Sequence, residues 1–118
     1  MATRPSAPRA RRRRAPAATS IRALQRKIEA LYGARDRARG LPATFMWFCE
    51  EVGELSRALR RRDRRNLEAE FADVLAWLST LASLAQVDLD EAAGRYANGC
   101  PRCRARPCAC ANKPRTYA

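Results

Sequence analysis

The chain has 118 residues, room for one domain, and it contains no apolar run of the ~18 residues needed to cross a bilayer, so no membrane helix is expected. Its formal charge is +12, from 24 basic and 12 acidic residues, and it has no histidine, which removes that residue from every catalytic or metal-binding role. Residues 1–20 carry six Arg and no acid, residues 94–118 carry five Arg and one Lys and no acid, and residues 21–93 carry twelve of each sign, so the excess charge lies in two tails around a neutral middle.

In chain order, residues 1–19 are rich in Arg, Ala and Pro and have almost nothing to bury, which predicts a disordered basic tail. Its run Arg11 to Arg14 would attract polyanions without sequence preference, so any nucleic-acid contact is expected only through the tails; the bland alternative is a solubilising extension. The tail lacks the apolar stretch of a signal peptide, and a cytoplasmic location is expected, although a transit peptide would share its composition.

Residues 20–99 read as a helical domain. Thr19 or Ser20 can cap a first helix in which Ile21, Leu24, Ile28 and Leu31 recur every three or four residues until Gly33. The charged stretch from Ala34 to Leu41, closed by Gly40 and Pro42, reads as a loop. Thr44 then caps a second helix whose apolar stripe is Phe45, Phe48, Cys49, Val52, Leu55 and Leu59, with Cys49 read as a small core residue. Asp63 or Asn66 caps a third helix to about Gln86, with Leu67, Phe71, Val74, Leu75, Leu78, Leu81, Ala82 and Ala85 on its inner face. Asp88 and Glu91 form a capping box for a short fourth helix ending at Asn98 and Gly99. No segment alternates with the period of a strand, so the fold class is all-α: a four-helix bundle. About 75 ordered residues make a marginal core, and the third helix is apolar nearly all round, so completion by homo-oligomerisation, as a homodimer or homotetramer, is expected.

Residues 100–118 form a Cys-rich tail. Cys100 and Cys103, four residues, then Cys108 and Cys110 place four thiols in eleven positions, the pattern of a compact zinc knuckle in which Zn2+ is held by four thiolates. The second pair is CxC where CxxC is usual, and a merely reduced, redox-labile tail is the competing reading.

The acids of the helical domain are the unusual feature. Glu50, Glu51 and Glu54 crowd one turn of the second helix, where like charges at i, i+3 and i, i+4 repel, and Glu70 and Asp73 repeat that spacing on the third. Asp73 sits in the run Phe71-Ala72-Asp73-Val74-Leu75-Ala76-Trp77-Leu78, where a buried unpaired carboxylate would cost several kcal/mol. Antiparallel packing of the two helices would aim both pairs at one point, and clustered oxygen ligands suit Mg2+ or Mn2+. A ferritin-like diiron site is excluded because it needs Glu-x-x-His on two helices. For Glu50 a purely solvated position is equally compatible with the pattern.

Glu50-Glu51-Val52-Gly53-Glu54, fifteen residues, then Glu70-Phe71-Ala72-Asp73 resembles the EExxE and ExxD signature of MazG-type nucleoside triphosphate pyrophosphohydrolases. The flanks, with Trp47 before the first motif, Leu55 and Ala58-Leu59 after it and Val74 to Leu78 after the second, are similar as well, and the likeness covers about residues 21–103. It implies Mg2+-dependent hydrolysis of a nucleoside triphosphate to monophosphate and pyrophosphate by attack on the α-phosphorus, as in clearance of the nucleotide pool. It also implies that Glu51, Glu54, Glu70 and Asp73 hold the metal, with Glu50 orienting the attacking water or joining a second metal site. Arg95, where the family more often has Lys, and Asn98 stand where that family contacts substrate; Asn98 could equally be a helix cap. Trp47 and Trp77 flank the acids and could stack on a nucleobase or belong to the core. The alternative to an enzyme is a basic nucleic-acid-binding adaptor with a zinc knuckle and no activity.

Overall fold

The computed structural model describes residues 19–111, so the basic arm with Arg11 to Arg14 lies outside the described residues. Among the described residues the fold is all-α, with helices α1 (Ile21–Arg39), α2 (Leu41–Arg61), α3 (Arg64–Leu84) and α4 (Leu89–Ala93), the last running into a 3-10 turn, Gly94–Tyr96. None of these helices is long and apolar enough to cross a membrane.

The Ser20 side chain caps α1 by accepting the amide of Ala23 at 3.1 Å. The expected stop at Gly33 does not occur. Glycine in a helix interior costs only about 1 kcal/mol against alanine, and the buried face continues past it through Gln25, Ile28, Gly33 and Asp36. The charged stretch read as a loop therefore forms the last turns of α1. The chain reverses at one residue: Gly40 ends α1, donating its amide to the Asp36 carbonyl at 2.9 Å, and precedes α2, which opens Leu41-Pro42. Its φ of +85° is a conformation that only glycine adopts without strain. Proline is tolerated here because first-turn amides have no helical partner.

Thr44, the expected cap, lies instead inside α2, fully buried, where its hydroxyl donates to the Gly40 carbonyl at 2.8 Å and accepts from Arg39 Nε at 3.0 Å. Asp63 caps α3 by accepting from the Asn66 amide, and Asp88 caps α4 by accepting from the amides of Asp90 and Glu91. The helix that Asp88 starts is shorter than its pattern suggests, since α-geometry ends at Ala93 and the 3-10 turn ends at Tyr96.

α2 packs on α3, and α1 lies mainly on α3 while also touching α2. Small and polar residues dominate the buried positions between them. Ile28, Ala58 and Ala82 are the buried apolar residues, alongside Gln25, Asp36, Thr44, Glu70, Ser79 and Thr80. Except for Glu70, the polar ones are bonded: Gln25 Nε2 donates to Ser83 Oγ and the Val87 carbonyl, while its Oε1 accepts the Leu89 amide, which ties α1 to the start of α4. Several residues expected inside are exposed. On α2 these are Phe45, Cys49, Val52 and Leu59, and on α3 Phe71, Leu75 and Leu78. Spacings of seven (45, 52, 59) and of four and three (71, 75, 78) make two continuous apolar stripes that the described residues leave uncovered.

Candidate functional site

The buried residues of α2 are Thr44 and Ala58, and the half-buried Glu51 lies midway between them at seven-residue spacing, so the face that buries the two also turns Glu51 toward α3. On α3 the buried residue of the acidic pair is Glu70, 9% exposed, while Asp73 is exposed. This reverses the expectation drawn from the apolar run around Asp73. That run faces outward through Phe71, Leu75 and Leu78, and the interior face of the helix passes through Glu70 instead.

One carboxylate oxygen from each of Glu51, Glu70 and Asp73 lies within 4.8 Å of the others. Two unit charges ~5 Å apart repel by roughly 3 kcal/mol at an effective dielectric constant of about 20, before screening by solvent. None of the five acids enters a salt bridge among the described residues, in a chain where arginine is abundant. Glu70 Oε2 is buried with no hydrogen-bond partner. Burial pushes the Glu51 carboxyl above the usual range, the charges of Glu54, Asp73 and Glu70 push the same way, and a hydrogen bond from Trp77 opposes them. Three converging carboxylates, with Glu51 held above its usual range and a Glu70 oxygen buried and unpartnered, fit a divalent cation with oxygen ligands. The three acids that converge would hold it. Glu54, half-buried, acts on Glu51 through its charge but is not one of the three, and Glu50 is exposed beside them.

The tryptophans meet at the same place. Trp77 Nε1 donates to Glu51 Oε1 at 3.2 Å, and its ring stacks on Trp47 with centroids 6.2 Å apart and planes inclined by 14°. The Arg39 guanidinium carbon lies 4.8 Å from the centroid of Trp77. Arg39 in turn pairs with the buried Asp36, which also accepts from Thr80 Oγ1 at 3.0 Å. A continuous path of contacts thus runs from α1 (Asp36, Arg39) through Trp77 to Glu51. Asp36, Arg39 and Thr80 are not singled out by the sequence, and Thr44 only as a cap, because the segment holding Asp36 and Arg39 resembles a solvated loop and Thr80 is 44 residues away from its partner.

Arg95 and Asn98 are exposed, on and just after the 3-10 turn, whose cap is Ala97 and not Asn98. They line a cavity of about 430 Å3 with Gly99, Cys100, Pro101 and Arg104, in which none of the five acids takes part. Cys100 is also one of the four cysteines of the tail, which converge with their sulfurs within 4.8 Å of one another. Backbone amides of Ala105 and Ala109 pull the Cys103 thiol down to about 6, while the neighbouring sulfurs, Cys108 first, push Cys110 up to about 12.

A family model for the MazG nucleotide pyrophosphohydrolase domain matches residues 40–102, which takes in α2, α3, α4 and the first cysteine of the tail. No curated protein matches the chain.

Proposed function

The chain belongs to the MazG nucleotide pyrophosphohydrolase family, and from that premise we propose that it hydrolyses nucleoside triphosphates to nucleoside monophosphate and pyrophosphate, with Mg2+ or Mn2+ held by Glu51, Glu70 and Asp73 and assisted by Glu54. The observation that carries the reading is the buried, unpartnered Glu70 Oε2 within a group of three converging carboxylates. When bound, the cation neutralises charge on the phosphates and makes the α-phosphorus a better electrophile.

The chain's own residues supply the rest. Trp77 holds Glu51 through its indole N–H, so this carboxylate cannot rotate freely away from Glu70 and Asp73. Glu50, exposed one residue earlier, is free to accept a hydrogen bond from the attacking water and then its proton. As the water oxygen bonds to the α-phosphorus, the bond to the oxygen bridging toward the β-phosphorus breaks and pyrophosphate leaves. Trp77 is engaged by Glu51, Arg39 and Trp47, whereas Trp47 is about half exposed, so Trp47 is the ring available to stack on a nucleobase. Arg95 and Asn98 are assigned to the phosphates and sugar.

The uncovered stripes of α2 and α3 are proposed to pair with a second copy of the chain, as a homodimer or a dimer of dimers, since two amphipathic helices side by side form half of a bundle. The decisive experiment is pyrophosphate release by the purified chain across a panel of nucleoside triphosphates, with and without Mg2+. Release that requires Mg2+ and is lost in Asp73→Asn is the expected result. Silence over the whole panel, with polyanion binding intact, would favour the adaptor reading that the basic tails and the cysteine cluster also allow.

A further inference from the structure

The four cysteines play no part in the chemistry above, and their arrangement has its own explanation. Cys100 Sγ lies 3.7 Å from Cys110 Sγ, and Cys103 Sγ lies 3.8 Å from Cys108 Sγ. A disulfide would bring sulfurs to about 2.05 Å, so neither pair is bonded. Four thiolates about 2.3 Å from one Zn2+ at tetrahedral angles lie about 3.8 Å apart along each edge. The two close pairs share no sulfur, which makes them opposite edges of such a tetrahedron.

The surrounding backbone serves the same centre. The Ala109 amide donates to Cys103 Sγ at 3.3 Å, and the Cys110 amide donates to Cys108 Sγ at 3.4 Å. Amide donors of this kind stabilise thiolates and fix their direction around a metal. The turn is closed by Arg104 N–H to the Cys100 carbonyl at 2.7 Å and Cys100 N–H to the Ala105 carbonyl at 3.2 Å. Gly99, at φ +97°, admits this closure, since a Cβ there would sit 2.8 Å from the Arg104 carbonyl oxygen and 3.1 Å from that of Ala105. Apolar burial does not account for the convergence: Cys103 and Cys108 are exposed, as are Pro101, Arg102 and Pro107.

We propose that Cys100, Cys103, Cys108 and Cys110 bind one Zn2+ as a tetrathiolate, and that this ion holds residues 99–110 so that Arg104 stands with Arg95 and Asn98 around the cavity they line. Binding transfers no electrons; the protons of the thiols pass to solvent as each sulfur takes its place on the metal. The inference stands whether or not the helices hydrolyse nucleotides.

The test is the metal content of the full chain, purified under reducing conditions without chelators. About one zinc per chain is expected, lost in Cys103→Ser and Cys110→Ser, reduced in Gly99→Ala, and retained in Glu70→Gln. Replacement by Co2+ should give the intense visible bands of a tetrahedral thiolate site, and removal of zinc should open the peptide bonds around Arg102 and Arg104 to trypsin. Zinc that disappears in Glu70→Gln and persists in the cysteine variants would overturn the proposal. So would wild-type chain that takes up no zinc when fully reduced, or whose mass is lower by the hydrogens that disulfide formation removes; neither result depends on any variant folding.

Discussion

The carboxylates between α2 and α3 and the sulfurs after α4 are both groups of converging ligands, but they are held in different ways. The acids stand on helices of 21 residues each whose packing places them, whatever occupies the space between. The sulfurs stand on an eleven-residue segment with almost no buried surface, where the ligands themselves close the structure. A site of the first kind can be destabilising to its own fold, because the helices force the charges together. A site of the second kind has no fold to oppose, and loss of the ligand costs it its shape.

The largest effect that tests this contrast is Glu70→Gln. Activity should fall at least about a hundredfold through loss of a metal ligand, while the metal-free chain should melt at a higher temperature than wild type, because a buried charge without a partner has been removed. A lower melting temperature in metal-free buffer would mean that the acids support the helices, and the contrast would collapse. Next is Asp36→Ala. This side chain is 6% exposed and joins Arg39 to Thr80, so its removal should cost about 2 to 3 kcal/mol by chemical denaturation. Activity should fall with it, since Arg39 would lose its hold beside Trp77. An unchanged denaturation midpoint would show that the packing of α1 does not define the acid site.

A smaller effect is expected from the cation itself. At ten times its dissociation constant, Mg2+ should stabilise the chain by about 1.4 kcal/mol. The size of that gain should depend on pH in a definite direction. The folded Glu51 carboxyl titrates above its unfolded value, so its favourable contribution is complete below the unfolded pKa and is lost as pH rises through the folded one. Mg2+ replaces the proton, and its stabilisation should grow across that same interval; thermal melts with and without Mg2+ at a series of pH values would show a flat difference if Glu51 were not a ligand. The smallest effect belongs to the joint between the two regions. Arg22 Nε bonds Asp88 Oδ2 at 3.1 Å, tying α1 to the start of α4. Backbone amides, Glu91 first, and Arg22 hold Asp88 below the usual range, so its contribution is present above the unfolded pKa and lost as pH falls through the folded one. Asp88→Asn should lower the melting temperature slightly at neutral pH and flatten its decline in acid.

The helical class and the acidic pairs were legible in the sequence because both depend on spacing within one segment. Glu70 and Asp73 reach one point because residues three apart share a helix face, and Asp63 and Asp88 cap helices as short-range chemistry predicts. What the sequence misjudged depends on which face of an amphipathic helix the chain uses. α3 is apolar on two sides, periodicity cannot choose between them, and the side bearing Phe71, Leu75 and Leu78 is the one left uncovered, so Asp73 is exposed and Glu70 buried. The length of α1 was misjudged because Gly33 looks like a terminator when read locally, although it lies buried in the interior of the helix, where a Cβ would crowd the Glu29 and Arg37 side chains. The partnership of Asp36 with Thr80 could not be found from either end, since both are ordinary surface residue types and nothing nearby pairs them.

The stacked indoles have a practical corollary. The chain contains two tryptophans, and both belong to the pair that touches the Glu51 carboxylate. Indole emission from this protein therefore originates at a single spot, so the molecule carries its own optical reporter there: quenching or a spectral shift on titration with nucleotide or cation would register occupancy directly, without a label and without turnover.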